Sequence, residues 1–221
     1  MAAYQVLFIG NSHTYLHHMP QMVVRLVEAT NLAKPLNAEQ VTGKGVSLEW
    51  HWHSQKTRDR IKAKKWDYVV LQDRSGGPLE NKATMYKHAR LLDDEIKKQG
   101  AGTILYMTWA NRKRPETQKI LTDTYSRISR ELGAILAPVG AAWENSLKTD
   151  PDLRLHHSDD RHAGPAGAYL TACVFYTVLY RSSPQGLPGT LYLDKRLLVD
   201  LTDDKAAFLQ RVAFETVTSL R

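Results

Sequence analysis

Val6-Leu7-Phe8-Ile9 is an unbroken apolar run between Gln5 and Gly10, and it predicts a first strand over residues 5–9 buried on both faces. Further strands are expected over 36–42, over Tyr68-Val69-Val70-Leu71 and over 103–108. A short fifth is expected over 135–139, where Pro138 suggests a sheet edge. Between the strands the apolar period lengthens. Met19, Met22, Val23, Leu26 and Val27 fall on one helical stripe. Ala89, Leu92 and Ile96 do the same over 85–98, with Gly100 just past the end. Leu121, Tyr125, Ile128 and Leu132 mark a helix over 115–132 that opens on Pro115. Helices over 165–180 and 205–220 complete the set, the last presenting Leu209, Val212, Ala213, Thr216 and Leu220 on one face. Residues 182–204 form a Gly- and Pro-containing excursion with a small strand or hairpin near 190–193.

Strands alternating with crossover helices imply an α/β protein whose parallel sheet is covered on both faces. No repeat, low-complexity tract or linker divides the chain, so residues 1–221 read as a single domain. In open sheets of this kind ligands bind outside the carboxyl ends of the strands, and Ser12 and Gln72 both fall at such ends.

Composition removes several function classes. With 43% hydrophobic and 24% charged residues this is an ordinary globular chain, and no apolar run approaches the ~20 residues a membrane span requires. The net charge of +7 can steer an anionic partner such as an acidic polysaccharide. The basic residues are scattered, however. The densest groups, Lys62 to Lys65 and Arg112 to Arg114, have no interleaved aromatics, which argues against nucleic acid. Cys173 is the only cysteine; it excludes an internal disulfide and sits in an apolar stretch where it should pack as a small hydrophobe. The histidines His17, His18, His51, His53, His156 and His157 show no metal-binding spacing, so no metal and no organic cofactor is expected. His51 and His53 read as helix surface or pocket wall, and Trp50 as a core residue. Tyr4 already begins the first strand, so no signal peptide is expected here. The compartment stays open between cytoplasmic and exported with a trimmed leader, as does the oligomeric state.

The chemistry-bearing residues lie far apart. Ser12 follows Gly10 where a helix begins, and a helix N-terminus offers N–H groups to a developing oxyanion. Thr14 is a candidate cap for that helix; the alternative makes Ser12 itself the cap, or part of a phosphate-cradling turn. His162 is the best base, with Asp159 three residues earlier to hold its tautomer and Asp160 as a local rival. His13 projects from the serine turn and Trp109 ends the fourth strand, so both are placed to wall a cleft, although core packing is the alternative for Trp109.

Phe8-Ile-Gly-Asn-Ser-His-Thr14, Gly45-Val-Ser-Leu-Glu-Trp-His51, Val69-Val-Leu-Gln72 and His162 followed by Gly167-Ala-Tyr-Leu-Thr-Ala-Cys173 stand in order along the chain. Together they resemble the SGNH (GDSL-like) hydrolases, most narrowly a bacterial branch with a Gly-Asn-Ser first block. The resemblance implies a three-layer α/β/α sandwich around a five-stranded parallel sheet, flavodoxin-like in kind, that cleaves carboxylic esters through an acyl-enzyme. It casts Ser12 as nucleophile, His162 as base and Asp159 as orienter, with the N–H groups of Ser12 and Gly45 as oxyanion donors. The family's Gly-x-Asn-Asp block is missing, and Gln72 is the candidate replacement donor through its amide. Asn11 stands where the family has Asp, and is placed with His13 and Trp109 at the substrate. A short-acyl ester, carbohydrate or other small molecule, is the expected substrate. The rival readings are an O-acyltransferase on the same fold and a non-catalytic anion- or nucleotide-binding module. Against the module, both the Gly-x-Gly-x-x-Gly and the Gly-x-x-x-x-Gly-Lys-[Ser/Thr] patterns are missing.

Overall fold

The computed structural model describes residues 2–30 and 34–219. Five parallel strands form its main sheet: β1 (Tyr4–Gly10), β2 (Leu36–Thr42), β3 (Tyr68–Leu71), β4 (Gly102–Tyr106) and β5 (Ile135–Ala137), in the order β2-β1-β3-β4-β5. The helices are α1 (Ser12–Tyr15), α2 (Met19–Glu28), α3 (Leu48–His53), α4 (Gln55–Lys62), α5 (Gly77–Glu80), α6 (Lys82–Lys98), α7 (Gln118–Leu132), α8 (Val139–Thr149), α9 (Pro165–Tyr180) and α10 (Asp203–Ser219).

The layers follow from the strand period. Val6 and Phe8 point into one cluster with Met22 and Leu26 of α2, Trp143 of α8, Phe175 of α9 and Leu209 of α10. Leu7 and Ile9 point into the other, with Leu48 of α3, Ile61 of α4, Leu92 of α6 and Ile128 of α7. All four β1 side chains are fully buried, each contributing ~1.5–3 kcal/mol. The strand that delivers Ser12 is therefore held from both faces of the sheet. The order reverses between β1 and β3, which places a crevice at their carboxyl ends.

The expected three-layer α/β/α class is the one observed, and β5 is an edge strand as its proline suggested. The differences are local. β4 ends at Tyr106, and β5 stops at Ala137 because Pro138 precedes α8, a helix the periodicity did not reveal. The predicted last helix covers 203–219, and its Leu220 lies outside the described residues. Residues 182–204 do contain a hairpin, β6 (Leu191–Leu193) against β7 (Arg196–Val199). Its Leu191, Leu198 and Val199 pack into the α2/α9/α10 side of the core. Trp50, expected in the core, is 47% exposed, since the short α3 turns Leu48 and His51 inward and Trp50 outward. Cys173 is fully buried, and burial pushes its thiol pKa up. Among the described residues no helix is long and apolar enough to cross a membrane.

Candidate active site

The turn after β1 is held from three sides. Asn11, not Ser12 or Thr14, caps α1: its Oδ1 accepts from His13 N–H at 3.1 Å, and its Nδ2 donates to the Val46 carbonyl at 2.9 Å. Ser12 is the first residue of α1, where a backbone N–H has no intrahelical partner. Thr14 instead donates its hydroxyl to Gln72 Oε1 at 2.9 Å.

Gln72 does not face the cleft. Its Oε1 also accepts from Asn11 N–H at 2.9 Å, and its Nε2 donates to the Asp73 carbonyl. The fixed Asn11 N–H demands an acceptor, which settles the amide's orientation. Gln72 is fully buried, so its extra methylene reaches under the serine turn instead of into the pocket, and the expected oxyanion role is corrected to one of support. Gly10 makes room for this: a Cβ there would lie 2.5 Å from both Gln72 Oε1 and Thr14 Oγ1.

His51 is the second support; the sequence reading of helix surface or pocket wall is corrected, since it neither faces solvent nor lines the cleft. It is fully buried. Its Nε2 donates to the Gly10 carbonyl at 2.9 Å, leaving Nδ1 to accept from Thr57 Oγ1 at 3.0 Å. Burial lowers its pKa to about 4 against the opposing pull of the Gly10 carbonyl, so the ring is neutral. Asp73, also missed, is buried and accepts Leu48 N–H at 2.8 Å, fixing the start of α3 beside the Gly45 turn.

A loop over residues 155–164 carries the imidazole to the serine. An isolated bridge pairs His156 with Ala163, and His157 N–H donates to the His162 carbonyl at 2.8 Å. From outside, Trp109 Nε1 donates to the Arg161 carbonyl at 2.9 Å and Arg112 N–H to that of Asp160 at 2.9 Å. His156 Nε2 donates to the Ala110 carbonyl at 3.0 Å, and His17 Nε2 to that of Ala163 at 2.9 Å. His17 and His18, at φ 54° and 53°, hold the left-handed backbone right after α1, a conformation that costs roughly 1–2 kcal/mol per residue.

The outcome is a chain of three side chains. Ser12 Oγ lies 2.9 Å from His162 Nε2, and His162 Nδ1 lies 2.5 Å from Asp159 Oδ2. Asp159 Oδ1 accepts from the backbone N–H of His162 at 2.9 Å and of Arg161 at 3.0 Å. Partial burial works to raise the Asp159 pKa, but these hydrogen bonds outweigh it and hold the carboxyl well below the usual range. An ionised carboxylate accepts the Nδ1–H, which leaves the Nε2 lone pair toward the serine hydroxyl. Asp160 takes no part. It sits in a left-handed turn at φ 60°, with its carboxylate 3.0 Å from Lys113 Nζ.

Ser12 and His162 open onto a cleft of about 790 Å³ that Asn11, His13, Gly45 and Trp109 also line. Asn11, expected to meet substrate, has its amide oxygen and one amide hydrogen engaged within the fold. The His13 ring lies 4.9 Å from that of Trp109 and 5.3 Å from that of His162. Burial first, then the charges of His162 and Arg161, lower its pKa to about 3. Trp109 stacks on Trp143 with centroids 4.0 Å apart, so it is wall and core at once. Gly45 adopts φ +66°, a left-handed turn that suits glycine, and its N–H has no partner among the described residues. No residue of 182–204 lines the cleft.

No family model matches the chain, and no curated protein is significantly similar to it in sequence. Solved structures are similar to it in shape. A DUF4886 family protein from Bacteroides uniformis superposes with a TM-score of 0.79 at 16% identity, covering 98% of this chain and 95% of that one. A protein assigned to the SGNH hydrolases, from Slackia heliotrinireducens, gives 0.70 at 24% identity over 80% of this chain and 99% of that one. An acetylxylan esterase from Geobacillus stearothermophilus gives 0.63 at 16% identity over 81% and 95%. The chain has the SGNH-hydrolase fold.

Proposed function

We propose that this protein is a serine esterase that cleaves a short-acyl carboxylic ester through an acyl-enzyme. The observation that carries the reading is the 2.9 Å contact between Ser12 Oγ and His162 Nε2, with Asp159 behind the ring. Ser12 attacks the ester carbonyl while His162 takes its proton, then returns it to the leaving alcohol. Asp159 fixes the tautomer and stabilises the imidazolium. The N–H groups of Ser12 and Gly45 hold the developing oxyanion, and His162 then activates water to release the acid. With Gln72 buried, the oxyanion site rests on these two backbone donors.

The cleft favours a polar substrate that carries negative charge. Lys44, Arg74, Lys113, Arg114 and Arg161 line it against Glu80 as the sole acidic residue there. Arg74 pairs with Glu80, Lys113 with Asp160 and Arg114 with Glu116. Lys44 and Arg161 have no ion-pair partner among the described residues. An O-acylated acidic carbohydrate fits this lining, and the shared fold with an acetylxylan esterase supports a sugar ester.

The test is Ser12→Ala assayed on p-nitrophenyl acetate, together with a fluorophosphonate probe on the unmodified protein. Loss of turnover with unchanged melting, and covalent labelling at Ser12, are expected. Undiminished turnover in the variant removes Ser12 from the mechanism. Transfer of the acyl group to an added sugar in preference to water would make the same machinery an acyltransferase.

A further inference from the structure

A second cluster of chemistry-bearing side chains lies between α3 and α6, formed by Glu49, His53 and His88. Glu49 and His53 are four residues apart and so share one face of α3. His88 comes from α6 and is 3% exposed. One ligand atom from each lies within 4.8 Å of the other two. The His53 and His88 rings stand edge to face, centroids 5.9 Å apart.

The hydrogen bonding of His88 gives this grouping a direction. Its Nδ1 faces the Thr84 carbonyl at 2.9 Å. A carbonyl only accepts, so Nδ1 carries the proton and Nε2 is left with a bare lone pair. That is the outer support commonly found behind a metal-ligating histidine, where a carbonyl fixes the tautomer and orients the ring. The side chains of Glu49 and His53 make no ion pair or hydrogen bond among the described residues, so neither donor is held by a competing partner.

We infer that Glu49, His53 and His88 form a binding site for a divalent transition-metal ion of the Zn²⁺ type. Two imidazoles and one carboxylate are ligands zinc prefers, with M–N and M–O distances of roughly 2.0–2.2 Å and hence ligand separations of roughly 3.3 Å. The present separations close to that value by rotamer changes of Glu49 and His53, both exposed. Their exposure also leaves the fourth position to water. Calcium and magnesium are disfavoured, because hard cations take oxygen ligands. The bound ion clips α3 to α6, and α3 carries His51, which holds the Gly10 carbonyl at the serine turn. The site is independent of the esterase reading.

The experiment is calorimetric titration of the metal-stripped full chain with Zn²⁺, repeated on His53→Ala, Glu49→Gln and His88→Gln, with thermal melting of each. One equivalent should bind and raise the melting temperature. Each substitution should weaken binding by at least about tenfold, while His18→Gln, outside the cluster, should bind as the unmodified chain does. His53 and Glu49 are exposed, so a folding failure of the His88 variant leaves two clean tests. Absence of saturable binding overturns the site. Binding that survives both His53→Ala and Glu49→Gln unchanged does so too, because the ion then sits elsewhere.

Discussion

Asp159→Asn should damage activity more than Asp159→Ala, and the reason lies in which oxygen is already occupied. Asp159 Oδ1 accepts two backbone N–H groups, at 2.9 and 3.0 Å, so an asparagine there must place its carbonyl oxygen on that side. Its amide NH₂ then faces His162 Nδ1, across the contact that is now 2.5 Å long. A donor in that position forces Nδ1 to accept, and the ring proton moves to Nε2. Ser12, at 2.9 Å, then meets a hydrogen where it needs a lone pair. A pinned wrong tautomer costs ~10⁴-fold in kcat, about 5 kcal/mol of transition-state stabilisation. Alanine removes the orienting group without imposing a tautomer. The Asp159 side chain is 44% exposed, so water can solvate Nδ1 and the loss should be roughly 10²-fold. The assay is kcat/KM on p-nitrophenyl acetate for both variants, with thermal melting to confirm equal folding. Asparagine activity within tenfold of the unmodified protein, or alanine slower than asparagine at matched stability, refutes the tautomer argument.

The supports of the serine turn are testable by stability. Gln72→Leu strips the acceptor from the buried Asn11 N–H and should cost about 1–3 kcal/mol in urea denaturation. An unchanged midpoint with kcat lowered ~10²–10³-fold would return Gln72 to the oxyanion site. Gly10→Ala drives a methyl to 2.5 Å from Gln72 Oε1 and Thr14 Oγ1; about 1–3 kcal/mol of destabilisation is expected, and normal stability would sink the close-contact account. His51 sets a pH dependence. The unfolded imidazole takes a proton below pH 6.5 while the folded one stays neutral to about 4, so its contribution is present above 6.5 and lost as pH falls through that window. The slope is about 1.4 kcal/mol per pH unit, and His51→Gln should flatten the denaturation-versus-pH curve by about one proton; identical curves count against a buried neutral ring. Finally, added salt should lower kcat/KM for an anionic ester far more than for a neutral one, and equal sensitivity would remove charge from the substrate preference.

Much of the candidate site could be read along the chain because its parts announce themselves locally. The strand-turn-helix around Ser12 shows in the switch from a continuous apolar run to Gly-Asn-Ser, and the Asp159/His162 spacing fits a loop that folds back on itself. Adjacent Asp159 and Asp160 could not be separated that way, since a left-handed turn at Asp160 decides which carboxylate faces the ring. Gln72 was misjudged for a similar reason. Residue type says that an amide can donate, but the direction of its side chain depends on Asn11 and Thr14, 61 and 58 positions away. His51 and Trp50 were misassigned together. A six-residue helix offers too few turns for periodicity to show which face is inward.

The order of the elements, the period of each and the turn residues between them belong to the amino-acid sequence alone, because each depends on interactions within a few residues. That was enough to define an α/β/α sandwich and to mark a serine, a histidine and an aspartate as the chemistry-bearing set. Only the tertiary structure decided that Ser12 and His162, 150 residues apart, meet at 2.9 Å. It also decided that Gln72 and His51 brace the turn from beneath, and that Glu49 and His53 face His88 across two helices. Such contacts arise when both faces of the sheet are buried at once, and no local pattern encodes which side chains that burial presses together.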